Sequence, residues 1–393
     1  MESWQPSAVS SLCTKVNCLR RFYKLHFDIR HHRTMKTALN SLSCQPYIPK
    51  MKKIITTIII SFITGLLAAQ TPALQILTTG TKTSLRGLSV VNDNVIWVSG
   101  TNGTVGKSTN GGKNWKWMTV NGFEKTDFRD VEAFDANTAI IMGIAEPAYI
   151  LKTNNGGESW RVVYENKTKG MFLDAMDFAN NQLGIVVGDP VNGKIFIART
   201  KNSGNSWEEI EEKNNKPVSD SGESFFAASG SNVKLFTNDE YFIVSGGLRS
   251  RLISHSSATD LPIIQGKETT GANAIDIYDN GMPDKPGQRM VVVGGDFNAD
   301  SVTEKNCFYT VNGGKTWHAP DTPPNGYRSS VEYLSKKDLL ACGLNGVDYS
   351  GDGGKNWKWI SKEGFHVCRI ARTGPAVFLA GNNGKIARVV WKK

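Results

Sequence analysis

Four arginines stand at matching points of short alternating segments: Arg86 in Leu-Arg-Gly-Leu, Arg129 in Phe-Arg-Asp-Val, Arg328 in Tyr-Arg-Ser-Ser and Arg369 in Cys-Arg-Ile-Ala. A guanidinium presents a planar fork that matches carboxylate or phosphate oxygens two at a time, so four brought to one place would bind an anion. Arg249 and Arg251 are further candidates. Carboxylates occur at similar points, Asp130, Asp174, Glu223 and Asp276, and buried charges are normally compensated. An anion or partner site and a structural ring of ion pairs therefore both stay open.

Other chemistry finds less support. Gly246-Gly247 and Gly294-Gly295 follow strand-like runs but open no helical pattern, so a dinucleotide fingerprint is not met. Asp296-Phe-Asn298-Ala-Asp300 with Glu304 imitates the first ligands of a calcium loop but lacks Gly at the sixth place and Glu at the twelfth. No Cys-x-x-Cys occurs, and no His stands near a cysteine at zinc spacing. Neither a metal nor a cofactor is expected.

What must position the arginines is a repeat. A hydroxyl residue, an Asn or Asp, a Gly and a Trp recur at one spacing: Ser108, Asn110, Gly112 and Trp115; Thr153, Asn155, Gly157 and Trp160; Thr200, Asn202, Gly204 and Trp207; Thr310, Asn312, Gly314 and Trp317; Ser350, Asp352, Gly354 and Trp357. Consecutive tryptophans are 45, 47, 110 and 40 residues apart, so the long interval hides one degenerate unit. Periods of about 40 to 50 residues suit a four-stranded propeller blade.

The segments before each motif alternate with period two, as in Phe128 to Phe134, Thr138 to Gly143 and Ala148 to Lys152, and read as three strands; a fourth follows each Trp. The motif is then the hairpin between the third and fourth strands. Asn or Asp accepts backbone amides two residues on, Ser or Thr does so more weakly, Gly takes a positive φ, and Trp buries a large face between units. Turn chemistry and packing account for each residue type.

These motifs resemble the Asp-box, or BNR, repeats of sialidases, sortilin-type receptors and the photosystem II stability/assembly factor family, and look most like the last. The resemblance covers about residues 74 to 391. It implies an all-β, seven-bladed β-propeller and a binding or assembly role without catalysis. The sialidase branch implies a rival, glycoside hydrolysis by an arginine triad, a Tyr nucleophile assisted by Glu and an Asp acid/base. Its Phe/Tyr-Arg-Ile-Pro motif is absent; Val367-Cys-Arg-Ile-Ala is the nearest string, and only Tyr327 or Tyr278 beside Glu223 offers a nucleophile pair.

The innermost strands are expected to begin near Leu85, Phe128, Phe172, Ser224, Ala274, Tyr327 and His366. The fourth blade, around Ser224 to Gly266, carries Ser254 to Asp260 in place of the motif. The seventh ends after three strands, and Leu74-Gln-Ile-Leu77 is expected to supply its outer strand, closing the ring and removing an edge. The arginines would then meet at the mouth of the central channel. Asp279 to Pro286 is a turn-rich insertion and a candidate contact loop.

Residues 51–70 read as a secretory signal peptide: Met51-Lys-Lys, an apolar run from Ile54 to Leu67, then Ala68-Ala-Gln70. Residues 1–50 read as an over-extended start or a basic leader, leaving the propeller to 71–393. Ten of the 46 basic and two of the 36 acidic residues lie in 1–70, so the net charge falls from +10 to +2 beyond them, and nucleic acid is not an expected partner. The expectation is a monomeric, secreted or periplasmic protein with no membrane span after cleavage, binding an envelope or exported protein or a carboxylate-bearing ligand. Cys307, Cys342 and Cys368 remain in the body; Cys342 and Cys368 either bridge neighbouring blades or sit as buried thiols.

Overall fold

A computed structural model describes residues 71–79, 82–210, 218–237, 239–278 and 287–392. The leader, the extension before it and the insertion at 279–286 lie outside the described residues. Strands of two to nine residues, apolar toward their neighbours, form seven antiparallel sheets arranged as the blades of a propeller. The innermost strands of blades 1 to 7 are Leu85–Val90, Phe128–Ala133, Leu173–Phe178, Val233–Leu235, Thr270–Tyr278, Ser330–Tyr333 and Val367–Ile370. Among the described residues there is one 3-10 turn, Asn382–Gly384, and no helix is long and apolar enough to cross a membrane.

The ring closes as the hydrophobic pattern requires. Thr71–Thr78 runs antiparallel to Ile386–Lys392, with Leu74 opposite Val389, and becomes the outer strand of blade 7. Seven apolar clusters hold the ring together, each shared by two neighbouring blades, so the core is a circle of interfaces.

The repeated turn contributes to five of these interfaces. Trp115, Trp160, Trp207, Trp317 and Trp357 each pack into the cluster shared with the preceding blade. The hydroxyl accepts weakly from the amide two residues on, as from Asn110 to Ser108 Oγ at 3.4 Å, and more closely from the one four residues on: Ser108 Oγ accepts the Gly112 amide at 2.9 Å, and Thr153 Oγ1 accepts that of Gly157 at 3.0 Å. Asn110 and Asn155 likewise accept amides four residues on, from Asn114 and Ser159. Gly157 sits at φ +87° with Met118 and Trp97 of blade 1 against its Cα, so a side chain there would meet both strain and a clash.

The fourth blade starts later than expected. Its innermost strand is Val233–Leu235, because Glu223–Ser224 pairs with Gly246–Gly247 on the inner edge of blade 5. A four-residue turn, with Ser254 N–H donating to Ser257 O at 2.8 Å, replaces the longer hairpin. The thiols of Cys307, Cys342 and Cys368 are buried and free; Cys342 and Cys368 share the interface of blades 6 and 7.

Candidate functional site

The displaced start of blade 4 leaves residues 225–232 to cross the centre of the ring, where they plug the channel. Ser229 Oγ donates to Ser329 O at 2.6 Å, Ser231 Oγ meets Ser330 Oγ at 3.1 Å, and Ile275 N–H donates to Ser231 O at 2.9 Å. Gly230, at φ +63°, lies so close to Asp130 that a Cβ would fall 2.2 Å from its Oδ2. The plug thus touches blades 2, 5 and 6, and Phe225 N–H reaches Asp189 of blade 3 at 2.8 Å.

Arginines complete its anchorage. Arg369 donates to Ser231 Oγ at 2.8 Å and to the Ser229 and Gly230 carbonyls at 3.0 and 3.3 Å. Arg86 donates to Ala228 O at 3.2 Å. Carbonyl oxygens satisfy hydrogen bonds without neutralising charge, so the two arginines differ in their compensation. Glu332 and Asp130 outweigh burial and hold the Arg369 cation firmly protonated. Burial first, and the Arg129 guanidinium second, push Arg86 the other way.

Arg129 pairs with Asp127 at 2.8 Å and lies over the Phe172 ring at 5.8 Å. Asp127 is also the carboxylate that favours the Arg86 cation, so two neighbouring guanidiniums share one counter-charge. His366 completes this mouth: its Nε2 meets Asn382 Oδ1 at 2.8 Å and Ser84 Oγ at 3.1 Å. Burial, then Arg86, pushes its pKa down to about 4, so it stays neutral and adds no charge.

Arg328 is not brought to the mouth. It is fully buried and donates from Nε to Asp348 Oδ2 at 2.7 Å and from Nη1 to Asn345 Oδ1 and Tyr327 O. Glu223 is also spent elsewhere, accepting from Arg251 at 2.5 and 2.8 Å and from Ser245 Oγ at 2.5 Å. Arg249 bridges Asp220 and Asp260 nearer the surface. Tyr327 Oη donates to Asn273 Oδ1 at 2.7 Å and Tyr278 packs on Tyr333; neither is hydrogen-bonded to Glu223 among the described residues. Asp296 turns to the Asn298 amide of its own loop and to Lys267.

Further along the innermost strands lies a ring of which the sequence pointed only to Asp276 and Arg369: Ser89, Glu132, Asp177, Lys234, Asp276, Glu332 and Arg369, one residue per blade. Several staple one blade to the next through backbone amides, Ser89 to Ala133, Asp177 to Leu235, Asp276 to Tyr333 and Glu332 to Ile370. Lys234 bridges to Asp276 at 2.9 Å; although burial disfavours its charge, Asp276, Glu332 and Asp177 together raise its pKa. Asp130 does the same stapling one layer nearer the mouth, accepting Met176 N–H at 2.8 Å. A polar residue, most often a carboxylate, recurring at one register point of the innermost strands is the sequence signal for this ring.

Asp174 is the exception, fully buried with neither oxygen hydrogen-bonded in normal geometry. Burial, and then Asp189, pushes its pKa well up; burial lifts Asp189 itself to about 6. A carboxyl raised on folding is protonated in the native chain but ionised in the unfolded one above the ordinary value of about 4, so stability falls as pH rises through that window. Asp174→Asn is accordingly expected to be more stable than the parent at pH 8 and nearly equal to it at pH 4. Urea midpoints at the two values check this; an equal loss at both would sink it.

No protein-family model matches the chain, and no curated protein matches it. Solved structures do. "YCF48 bound to D1 peptide" superposes with a TM-score of 0.57 at 18% identity, covering 81% of this chain and 96% of that one. YCF48 from Cyanidioschyzon merolae gives 0.58 at 18% identity, over 80% and 98%. The WD40 beta propeller domain of Doa1 gives 0.55 at 11%, over 82% and 98%. At these identities the likeness is one of fold.

Proposed function

We propose that this chain is a non-catalytic binding propeller of the Asp-box type that seats an anionic group of a partner protein at the channel mouth, between Arg86 and Arg129. The observation that carries the reading is their shared counter-charge, Asp127, since the Asp174 carboxyl near Arg129 is pushed by burial toward its neutral form. Two guanidiniums held close with one counter-charge repel each other, and an incoming carboxylate relieves that repulsion while accepting a bidentate pair of hydrogen bonds. The plug fixes Arg86 from behind, so little side-chain freedom is lost on binding. A fold of this kind has been solved with a peptide, in YCF48, which supports a protein partner. With the leader at 51–70, the partner is sought among exported or envelope proteins.

The test is capture from envelope extract by the parent and by Arg86→Gln/Arg129→Gln. Capture is expected to fall about tenfold or more in the double variant, as for a paired-charge contact at an interface centre. Unchanged capture by a folded double variant would remove the mouth from the function. Arg328 does not serve as the control, because its loss is expected to destabilise the blade that carries it.

A further inference from the structure

The five homologous turns differ in charge. Four carry a neutral amide, Asn110, Asn155, Asn202 and Asn312; the blade 6 turn carries Asp352. One oxygen meets the needs of the turn, since Asp352 Oδ1 accepts Ser350 Oγ and the Asn356 amide, both at 2.9 Å, as the Asn oxygens do elsewhere. The second oxygen accepts only the Asn356 side-chain amide at 2.9 Å. The extra charge is not required by the turn.

Asp352 forms part of the wall of a groove of about 720 Å³ between the outer strands of blades 6 and 7. A second carboxylate, Asp338, lines it and takes the Tyr349 hydroxyl proton as a hydrogen bond. Trp391 is 39% exposed and meets Tyr349 edge-on at 5.7 Å, leaving an aromatic surface beside the two acids. Among the described residues Lys358 is the one cation in the lining, against the two carboxylates Asp338 and Asp352, so this lining carries a net negative charge. Pro72, on the opposite side, has no N–H to offer an added strand, so recognition here rests on side chains.

We infer that this groove docks an extended segment of a partner protein presenting an arginine or lysine next to an apolar residue, the cation set between Asp338 and Asp352 against Trp391 and the apolar residue on Tyr349. A cation over an indole flanked by carboxylates gains from both, and the acids repel a segment of opposite charge. The site is separate from the channel mouth and opposite to it in sign.

The probe is a fluorescein-labelled peptide Ser-Gly-Arg-Leu-Gly-Ser, compared by anisotropy at low salt with its glutamate-for-arginine counterpart. Asp352→Asn installs the residue that four sister turns already use, so folding is retained while the charge is removed. The arginine peptide is expected to bind the parent, to bind Asp352→Asn and Trp391→Leu each about five- to tenfold more weakly, and to bind Arg86→Gln/Arg129→Gln as well as the parent. Absence of binding to the parent, equal binding of the glutamate peptide, or full affinity in Asp352→Asn would overturn the inference.

Discussion

Arg328→Met is expected to cost about 3–5 kcal/mol of unfolding free energy, because it strands a buried carboxylate. Arg328 and Asp348 are both wholly inaccessible to water. The guanidinium also donates to Asn345, Tyr327 O and Asn325 O, while Asp348 accepts from the Asn325 side chain at 2.7 Å. Removing the cation leaves the buried Asp348 carboxyl without its counter-charge and a loop built around the missing fork. Replacing both partners removes the orphaned charge, so Arg328→Met/Asp348→Leu is expected to recover much of the loss. Urea unfolding followed by tryptophan fluorescence measures both. A single variant within about 1 kcal/mol of the parent, as an exposed pair would give, would contradict the burial.

Deleting residues 71–78 is expected to drive the chain into aggregates. Ile386–Lys392 would then become an unpaired outer edge, an open template for pairing with other chains. The apolar contacts of Leu74 and Leu77 at the two flanking interfaces would go with it, at up to about 1.5–3 kcal/mol for each side chain. Size-exclusion chromatography should show aggregate in place of the parent's elution peak, and a synthetic peptide of residues 71–78 should restore that peak when present during refolding. A truncated chain that keeps that peak with unchanged amide protection across Ile386–Lys392 would show that the closing strand is dispensable.

The propeller was legible from the chain because its defining unit is local. Ser108, Asn110 and Gly112 satisfy one another within five residues, and Trp115 follows at a spacing set by the same turn, so identity and separation alone carry the information. Closure was legible for a related reason: three strands in the last unit leave one place empty, and alternation in Leu74 to Leu77 can fill it. The degenerate fourth blade was misplaced by about ten residues. Its first strand holds three residues, and Ser224, expected as its start, pairs with Gly246 beside Glu223, which Arg251 holds from 28 positions along.

Residue types and spacing thus determined a repeated β unit, its count and the chemistry of its turn. Which charges are free was decided only by the tertiary structure. Similar Arg-containing strings end as a sealed ion pair at Arg328, a plug anchor at Arg369 and an under-compensated pair at Arg86 and Arg129, because, Asp127 beside Arg129 apart, the groups that meet them lie 20 to more than 100 residues away. The plug has no local signature either, since its polar atoms are satisfied across the channel by other blades. Asp352 could be seen as the odd member of its series, but only the seam of blades 6 and 7 sets Trp391 beside it. Short-range hydrogen bonds are written in short stretches of chain; desolvation and charge balance are properties of whatever the fold brings near.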